Sequence, residues 1–418
     1  MNILMFNYEY PPLGGGGGVI HALVAEELAR RHRVVVVTSR ASGQPAVETR
    51  DGVEVHRVPV LSRGDLSAAT LLSLLSFPPG AWRKGAELLR RERFDVVNSH
   101  FAVPTGPGSL PVAKVGRIPH VLSLHGGDIY DPSKRLSPHR LPVVRGVVTQ
   151  MMRRSEAVVA QSQNTRDNAW RYYGYRGPIE IIPLGIRQPR FAPATRAELG
   201  LPEDVFLAVT VGRLVKRKAI DVLLTALARP ECAGVHLAVV GAGPELEPWR
   251  ALAAALGIAE RVRFLGRVSE EAKWQILACA DVYASTTMHE GFGLVYLEAM
   301  AAGLPVITYD HGGQTDFLVD GVTGFLVPAG DPDRFVSALS RLAASPDLAA
   351  RMRAENLRRA PSHRVEHCAS AYEALFAALA EGRAVGGDAP RASGPAAPSG
   401  PGGVVRHESA PHHAVTGA

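Results

Sequence analysis

Short apolar runs rich in β-branched residues recur along the chain, with helically spaced stretches between them. "NILMFNY" from Asn2, "RVVVVTS" from Arg33, "DVVNSH" from Asp95, "HVLSLH" from His120, "AVVAQS" from Ala157 and "IEIIP" from Ile179 read as buried strands. "VEVHRVP" from Val53 alternates and predicts a half-exposed strand. "VIHALVAEELARRH" from Val19 has the spacing of an amphipathic helix. Strands alternating with helices predict a parallel, doubly wound sheet.

The alternation breaks between Pro183 and Pro202, where four prolines occur and no periodic apolar run does. This stretch reads as an interdomain linker. A second series follows: "VFLAVTVGRL", "VHLAVVG", "RVRFLG", "DVYAS", "PVITYD" and "GFLVP". Two similar units are therefore predicted, an N-terminal Rossmann-like domain over 1–188 and a C-terminal one over 189–362. The last helical pattern, at 363–381, is expected to return to the first domain. From 382 to 418 the chain is Gly, Ala, Pro and Ser with hardly any large apolar residue, which predicts a disordered tail.

Composition narrows the class. A chain of 418 residues exceeds one usual core, and 46% apolar against 21% charged residues excludes a disordered protein. Cys232, Cys279 and Cys368 are far apart and form no CxxC, which argues against a disulfide framework or zinc site and fits a reducing cytosol. The N-terminus lacks a basic region and a signal-length apolar run, and no stretch reaches 18 apolar residues. A cytoplasmic protein is expected. Residues 1–188 hold 24 Lys and Arg against 15 Asp and Glu, whereas 189–418 hold 22 against 25. The basic half reads either as solvated helix faces or as a surface for an anionic acceptor or membrane. Leu66–Trp82 carries no charge over 17 residues and is followed by Arg83 and Lys84. A buried core helix is the first reading, and a lipid- or acceptor-facing helix the second.

Three stretches carry candidate chemistry. Gly14 to Gly18 follow a predicted strand and open a helix. Glycine is entropically costly, so the run is either a flexible loop or a place where an anion approaches free N–H groups at a helix N-terminus. "VGRLVKRKAIDVLL" places Arg213 and Lys218 after a strand and before a helix, where open α/β sheets bind ligands. Guanidinium and ammonium there suit a diphosphate. The alternative is a solvated basic loop that also holds Lys216 and Arg217. In "MHEGFGLVYLEAMAAGLPVI", Glu290 precedes a Gly-Phe-Gly turn and Glu298 lies eight residues on. A carboxylate there suits a vicinal diol, and the turn amides suit phosphate or sugar oxygens.

Taken together these motifs resemble the retaining glycosyltransferases of family 4. The resemblance spans roughly 1–380 and includes the glycine loop, "LHGGD" at 124–128, "GRLVKRK" at 212–218, "VVGAGPE" at 239–245, "VRFLGRVS" at 262–269 and "HEGFGLVYLEAMAAGLPVI" from His289. It implies the α/β GT-B fold: two Rossmann-like doubly wound domains facing a central cleft, with a C-terminal helix crossing back. It also implies roles. Arg213 and Lys218 match the pair on the donor diphosphate, and Glu298 the glutamate on the nucleotide ribose. Glu290 matches the residue beside the transferred sugar, with amides of Phe292, Gly293 and Leu294 on sugar and phosphate. His125 matches the histidine near the reacting carbon, and Gly14 and Gly15 the loop facing the diphosphate. Arg267 and Val268 match the edge that reads the base through backbone groups.

The expected protein is a retaining, metal-independent transferase using a UDP- or GDP-linked sugar, with no separate cofactor and no nucleic-acid partner. The expected acceptor is a lipid-linked glycan, a polysaccharide or a natural-product aglycone, with peripheral contact to the inner face of an anionic membrane. The alternative is an inactive sugar-nucleotide-binding protein of the same fold. A nicotinamide-dependent dehydrogenase is disfavoured by the lack of GxGxxG and of a ribose-binding acid about 20 residues beyond it. "DPD" at 331–333 reads as a helix cap, not a metal motif. Two positions depart from the family. Ala219 stands where glycine is usual after the lysine, with little effect expected unless φ is positive there. Asp316 stands where glutamate is usual, which puts a glutamate-specific contact there in doubt.

Overall fold

A computed structural model describes residues 1–63, 69–134, 136–189, 191–383 and 385–386. Most of the low-complexity stretch from 382 and the first three residues of Leu66–Trp82 lie outside the described residues.

The N-terminal sheet contains β1 (Asn2–Asn7), β2 (Arg33–Arg40), β3 (Val47–Arg50), β4 (Val53–Pro59), β5 (Val96–His100), β6 (His120–Leu124), β7 (Ala157–Ala160) and β8 (Glu180–Ile181). Its spatial order is β3-β4-β2-β1-β5-β6-β7-β8, parallel except for the β3–β4 pair. The C-terminal sheet contains β9 (Phe206–Val211), β10 (Val235–Val240), β11 (Val262–Gly266), β12 (Val282–Ala284), β13 (Val306–Tyr309) and β14 (Gly324–Val327), in the order β11-β10-β9-β12-β13-β14.

The connecting helices of the first half are α1 (Gly16–Ala29), α2 (Leu71–Arg91), α3 (Gly106–Gly116), α4 (Pro142–Arg154) and α5 (Gln163–Tyr173). Those of the second are α6 (Ile220–Leu227), α7 (Leu246–Ala255), α8 (Glu270–Cys279), α9 (Leu294–Ala301), α10 (Pro332–Ala344) and α11 (Pro346–Arg359), and α12 (Val365–Ala380) is the last helix among the described residues. The central strands are Val- and Ile-rich because helices cover both of their faces. β4 is almost wholly buried and not half-exposed, because the β3 hairpin covers its edge.

Strand order reverses between β1 and β5 in one sheet and between β9 and β12 in the other. Such switch points open crevices at the C-terminal strand ends, where α/β sheets take their ligands. Here the loops at both crevices line one cleft.

The chain crosses between the sheets twice, and the crossings lie side by side as a parallel bridge between Ile186 and Arg364. After the second, α12 packs on α1 of the first sheet. Tyr372 Oη donates to Ser123 Oγ at 2.9 Å, and Glu373 binds Arg31 and, at 2.7 Å, His32 Nε2. The C-terminal helix thus returns as expected.

The charge-free helix is not a core helix on all sides. Phe77, Ala81 and Leu88 of α2 are buried, whereas Leu71, Leu72, Leu75 and Trp82 are exposed. Thr70 caps it: its hydroxyl accepts the Ser73 N–H, and Ser73 Oγ accepts the Thr70 N–H. Among the described residues, no helix is long and apolar enough to cross a membrane.

Candidate functional site

The cleft between the sheets has a volume of about 600 Å³. Of the twelve candidate site residues, eleven line it. Gly14 and Gly15 enter from β1 and His125 from β6. Arg213 and Lys218 follow β9, Arg267 and Val268 follow β11, and Glu290 with Phe292, Gly293 and Leu294 follows β12.

The five glycines divide in two. Gly16 to Gly18 already belong to the first turn of α1, so the run is less a mobile loop than a helix start without side chains. Gly14 has φ +93°, a conformation costly for any other residue. Gly17 leaves room for the Phe101 ring, which a Cβ would strike. Gly18 and Val19 N–H groups bond the Gly15 carbonyl and the Gly15 N–H donates to Glu9 Oε2, while the Gly16 and Gly17 amides have no partner among the described residues and meet the cleft. Phe101 itself has φ +72° and lies 4.7 Å from the His125 ring, centroid to centroid. A bulky residue in that region marks a site whose surroundings over-determine the backbone.

Asp128 fixes the His125 loop. Its carboxylate accepts the His125 N–H at 2.9 Å and the Ala102 N–H at 2.7 Å, and burial holds its pKa up at about 6 despite both bonds. Burial lowers the His125 pKa to about 4, partly offset by the Gln161 side chain, so the ring is neutral at pH 7.

Opposite stands a charged cluster. Lys218 Nζ lies 2.6 Å from Glu290 Oε1, and Arg217 Nη1 lies 3.3 Å from the same oxygen. Burial pushes the Glu290 pKa up, but the two cations outweigh it and hold the carboxyl at about 2. Glu290 is therefore an anion throughout the neutral range and not a proton donor. Arg213 also lines this wall. Lys218 reaches Glu290 by running past Gly212, where a Cβ would crowd its stem. Gly293, at φ +94°, starts α9 and turns that helix's first amides to the cleft.

Glu298 is the exception. It sits a turn along α9, outside the cleft lining, and binds Lys273 Nζ of α8 at 2.8 Å. Burial raises its pKa against the pull of Lys273.

The two family departures are both explained. Ala219 has φ +44°, so the position does require the left-handed region, and the expectation of little effect is corrected. Asp316 does not reach the cleft lining: its carboxylate accepts the Gln163 N–H at 2.8 Å across the domain boundary. Beside it, Ser162 Oγ donates to the Gly291 carbonyl at 2.7 Å. Asp331 accepts the Arg334 N–H at 3.0 Å, the capping role read from the sequence.

Sequence reasoning missed several cleft residues. Arg217 looked like a solvated cation but is half-buried against Glu290. Phe101, Asp131, Gln161 and His289 also line the cleft. His289 directly precedes Glu290, which was a usable signal. The others stand in no charged or glycine-rich string.

A polyanion entering this cleft meets Arg213, Arg217 and Lys218 on one wall and helix N-termini on both. Glu290 remains to accept hydrogen bonds from hydroxyl groups. The model for "Glycosyltransferase Family 4" matches residues 14–188, and that for "Glycosyl transferases group 1" matches 192–359. A D-inositol 3-phosphate glycosyltransferase of Streptomyces avermitilis is 32% identical, over 82% of this chain and 79% of its own. A GDP-mannose-dependent alpha-(1-6)-phosphatidylinositol monomannoside mannosyltransferase of Mycolicibacterium smegmatis is 29% identical, over 84% and 91%. Among solved structures, sucrose-phosphate synthase of Thermosynechococcus elongatus superposes with a TM-score of 0.79 at 22% identity, covering 91% of this chain and all of that one. Anabaena HepE in complex with UDP-glucose gives 0.68 at 20%, also over 91% and 100%.

Proposed function

The chain belongs to glycosyltransferase family 4 and is a glycosyl-transfer enzyme of the GT-B fold, and on that premise we propose that it is a retaining transferase using a UDP- or GDP-linked sugar. The observation that carries this reading is the convergence of the Gly14–Gly17 helix start with Lys218, Arg217 and Glu290 on one cleft at the switch points of both sheets.

In this reading the C-terminal half holds the donor. Arg213, Lys218 and the N–H groups at the Gly16–Gly17 helix start and at Gly293 meet the diphosphate and stabilise its charge as it departs, with no metal ion required; the Gly15 N–H donates to Glu9 Oε2 at 3.1 Å and holds the loop. Phe292 and Leu294 close the same wall, and Arg267 and Val268 flank the base. Glu290 accepts hydrogen bonds from the transferred sugar, and Lys218 exchanges part of its contact with Glu290 for phosphate. Glu298 and Lys273 together face the ribose. His125 stands at the reacting carbon, and the acceptor attacks from the leaving-group face. Retention, donor and metal independence follow the family; HepE, crystallised with UDP-glucose, supports a nucleotide sugar.

The N-terminal half holds the acceptor. Two relatives are named for inositol-containing acceptors, which supports a ring polyol. The exposed Leu71, Leu72, Leu75 and Trp82, with Arg83 beside them and Arg90 and Arg91 ending the helix, support an acceptor presented on an anionic lipid surface.

A thermal-shift screen of UDP- and GDP-sugars tests the donor. A matched donor at 100 times its Kd adds about 2.7 kcal/mol of stability. No shift with any nucleotide sugar, in a folded protein, sinks the proposal. Activity abolished by EDTA and restored by Mg²⁺ or Mn²⁺ overturns metal independence.

A further inference from the structure

Three histidine rings form a column leading up to the cleft. His21 and His100 have centroids 4.4 Å apart, and His100 and His125 lie 4.9 Å apart. His125 lines the cleft, whereas His21 and His100 are buried beneath it. His100 ends β5 and His125 follows the neighbouring β6, so the sheet itself sets the pair in register.

We propose that His100 is a positioning residue that holds His125 in one neutral tautomer, with its proton on Nδ1, so that His125 offers the transferred sugar a hydrogen-bond donor. This rests on the transferase reading above. His100 Nδ1 and His125 Nε2 are 2.8 Å apart, so one proton lies between them. If that proton belonged to His125, His100 would carry its own on Nε2. That atom is buried and has no hydrogen-bond partner among the described residues. The result would be an orphaned N–H, which folded proteins tolerate less readily than an unused lone pair. With the proton on His100 Nδ1, Nε2 is only an unused lone pair. His125 then accepts at Nε2 and must carry its proton on Nδ1.

The surroundings also keep the rings neutral at neutral pH. The groups facing His100 are His21, His125 and the Tyr372 ring of α12, with centroids 5.9 Å apart for the last. None is a carboxylate that could stabilise an imidazolium. Both nitrogens of His21 are buried without partners, so it too stays neutral. Burial holds the pKa of all three rings below the usual histidine range. Facing His125 are Phe101, Gln161 and Asp128, whose carboxylate is occupied by two backbone N–H groups. Asp128 thus fixes the main chain of His125, and His100 fixes its ring.

The direct test is long-range ¹H–¹⁵N correlation of protein labelled with ¹⁵N in the histidine rings, assigned by the signals lost in His100→Asn and His125→Asn. In wild type, His125 shows one neutral tautomer protonated on Nδ1. Protonation on Nε2, or averaging between tautomers, overturns the proposal. His100→Asn places an amide nitrogen where Nδ1 was and keeps the His125 tautomer. His100→Phe removes the donor and releases it; an unchanged His125 signal in that variant also overturns the proposal. Turnover of UDP-glucose and GDP-mannose follows the same split. His100→Phe lowers kcat about tenfold or more at unchanged donor KM, and His100→Asn stays within about threefold. If His100→Phe fails to fold, the wild-type and His100→Asn spectra still decide. If wild type turns over neither donor, the transferase reading is what has been challenged, and the ring spectra decide the His100 proposal by themselves.

Discussion

Asp316, from the C-terminal half, accepts the backbone N–H of Gln163, the first residue of α5 in the N-terminal half. One residue earlier, Ser162 grips the carbonyl of Gly291, next to Glu290. The loop that carries Glu290 therefore also takes part in the contact between the two halves. Asp316→Ala should loosen closure without touching the phosphate wall. Each lost bond is worth about 1 kcal/mol, so kcat should fall about fivefold while UDP or GDP affinity stays within about twofold. A fall in nucleotide affinity equal to that in kcat would show that the contact is not a closure latch.

Glu290 and Glu298 should separate kinetically. Glu290→Gln removes the charge that Lys218 and Arg217 hold, and should lower kcat by about 10²-fold, the cost of one transition-state contact. His125→Ala should do the same. Glu298→Ala should mainly raise donor KM. Near-wild-type kinetics for Glu290→Gln and His125→Ala in folded protein would dissolve the site assignment.

Ala219→Gly should stabilise the protein. The left-handed region costs alanine roughly 1–2 kcal/mol, and the extra freedom of glycine in the unfolded chain returns roughly 0.5–1 kcal/mol of that. A gain of about 0.5–1 kcal/mol, or a Tm higher by about 1–3 °C, is expected by calorimetry, with kcat unchanged. A lower Tm would contradict the φ of +44°.

Acid should destabilise the fold well before most carboxylates titrate. Burial lowers the pKa values of His21 and His120 to about 3 and of His125 and His289 to about 4. The unfolded chain therefore binds more protons below pH 6.5, and stability present above that pH is lost as pH falls toward 4. Each histidine contributes up to about 1.4 kcal/mol per pH unit. Asp128, raised to about 6, has the opposite sign and offsets about one of them. Urea midpoints between pH 7 and 5 should fall steeply, and His21→Phe should make the slope shallower by about one proton. A flat profile would show that these rings are hydrated.

Leu71, Leu72 and Leu75 should report on lipid contact. Wild type should sediment with anionic vesicles at low salt and be released as salt rises. Replacing the three leucines by serine should abolish sedimentation without lowering Tm, because they are exposed. Absence of wild-type binding would favour an acceptor free in solution.

The strands were legible because buried parallel strands draw on short apolar, β-branched stretches, and thirteen of the fourteen strands among the described residues fall on runs that the sequence singles out. The exception, β3, is the short polar edge "VETR". The charged and glycine-bearing strings led to Gly14, Gly15, Arg213, Lys218, Glu290 and the 291–293 turn because ligand loops follow switch-point strands, whereas His125, Arg267, Val268 and Leu294 came from the family resemblance. What stayed hidden depended on distant partners. Nothing near Lys273 in sequence announces Glu298, nothing near Asp316 announces Gln163, and nothing near Gly17 announces Phe101. The half-buried, half-exposed nature of α2 was hidden for a similar reason: a leucine has the same side chain whether or not another element covers it.

The paired crossing at Ile186 and Arg364 bears on how this enzyme is to be recombined with its relatives. The N-terminal body is not a contiguous piece of gene. It comprises everything up to the first crossing together with α12, whose Tyr372 and Glu373 are tied to Ser123, Arg31 and His32. A graft that exchanges only the leading segment leaves a foreign helix seated on the new body, with mismatched anchors. A graft that moves both segments keeps every one of those ties native and cuts the chain only where its two crossings already lie side by side.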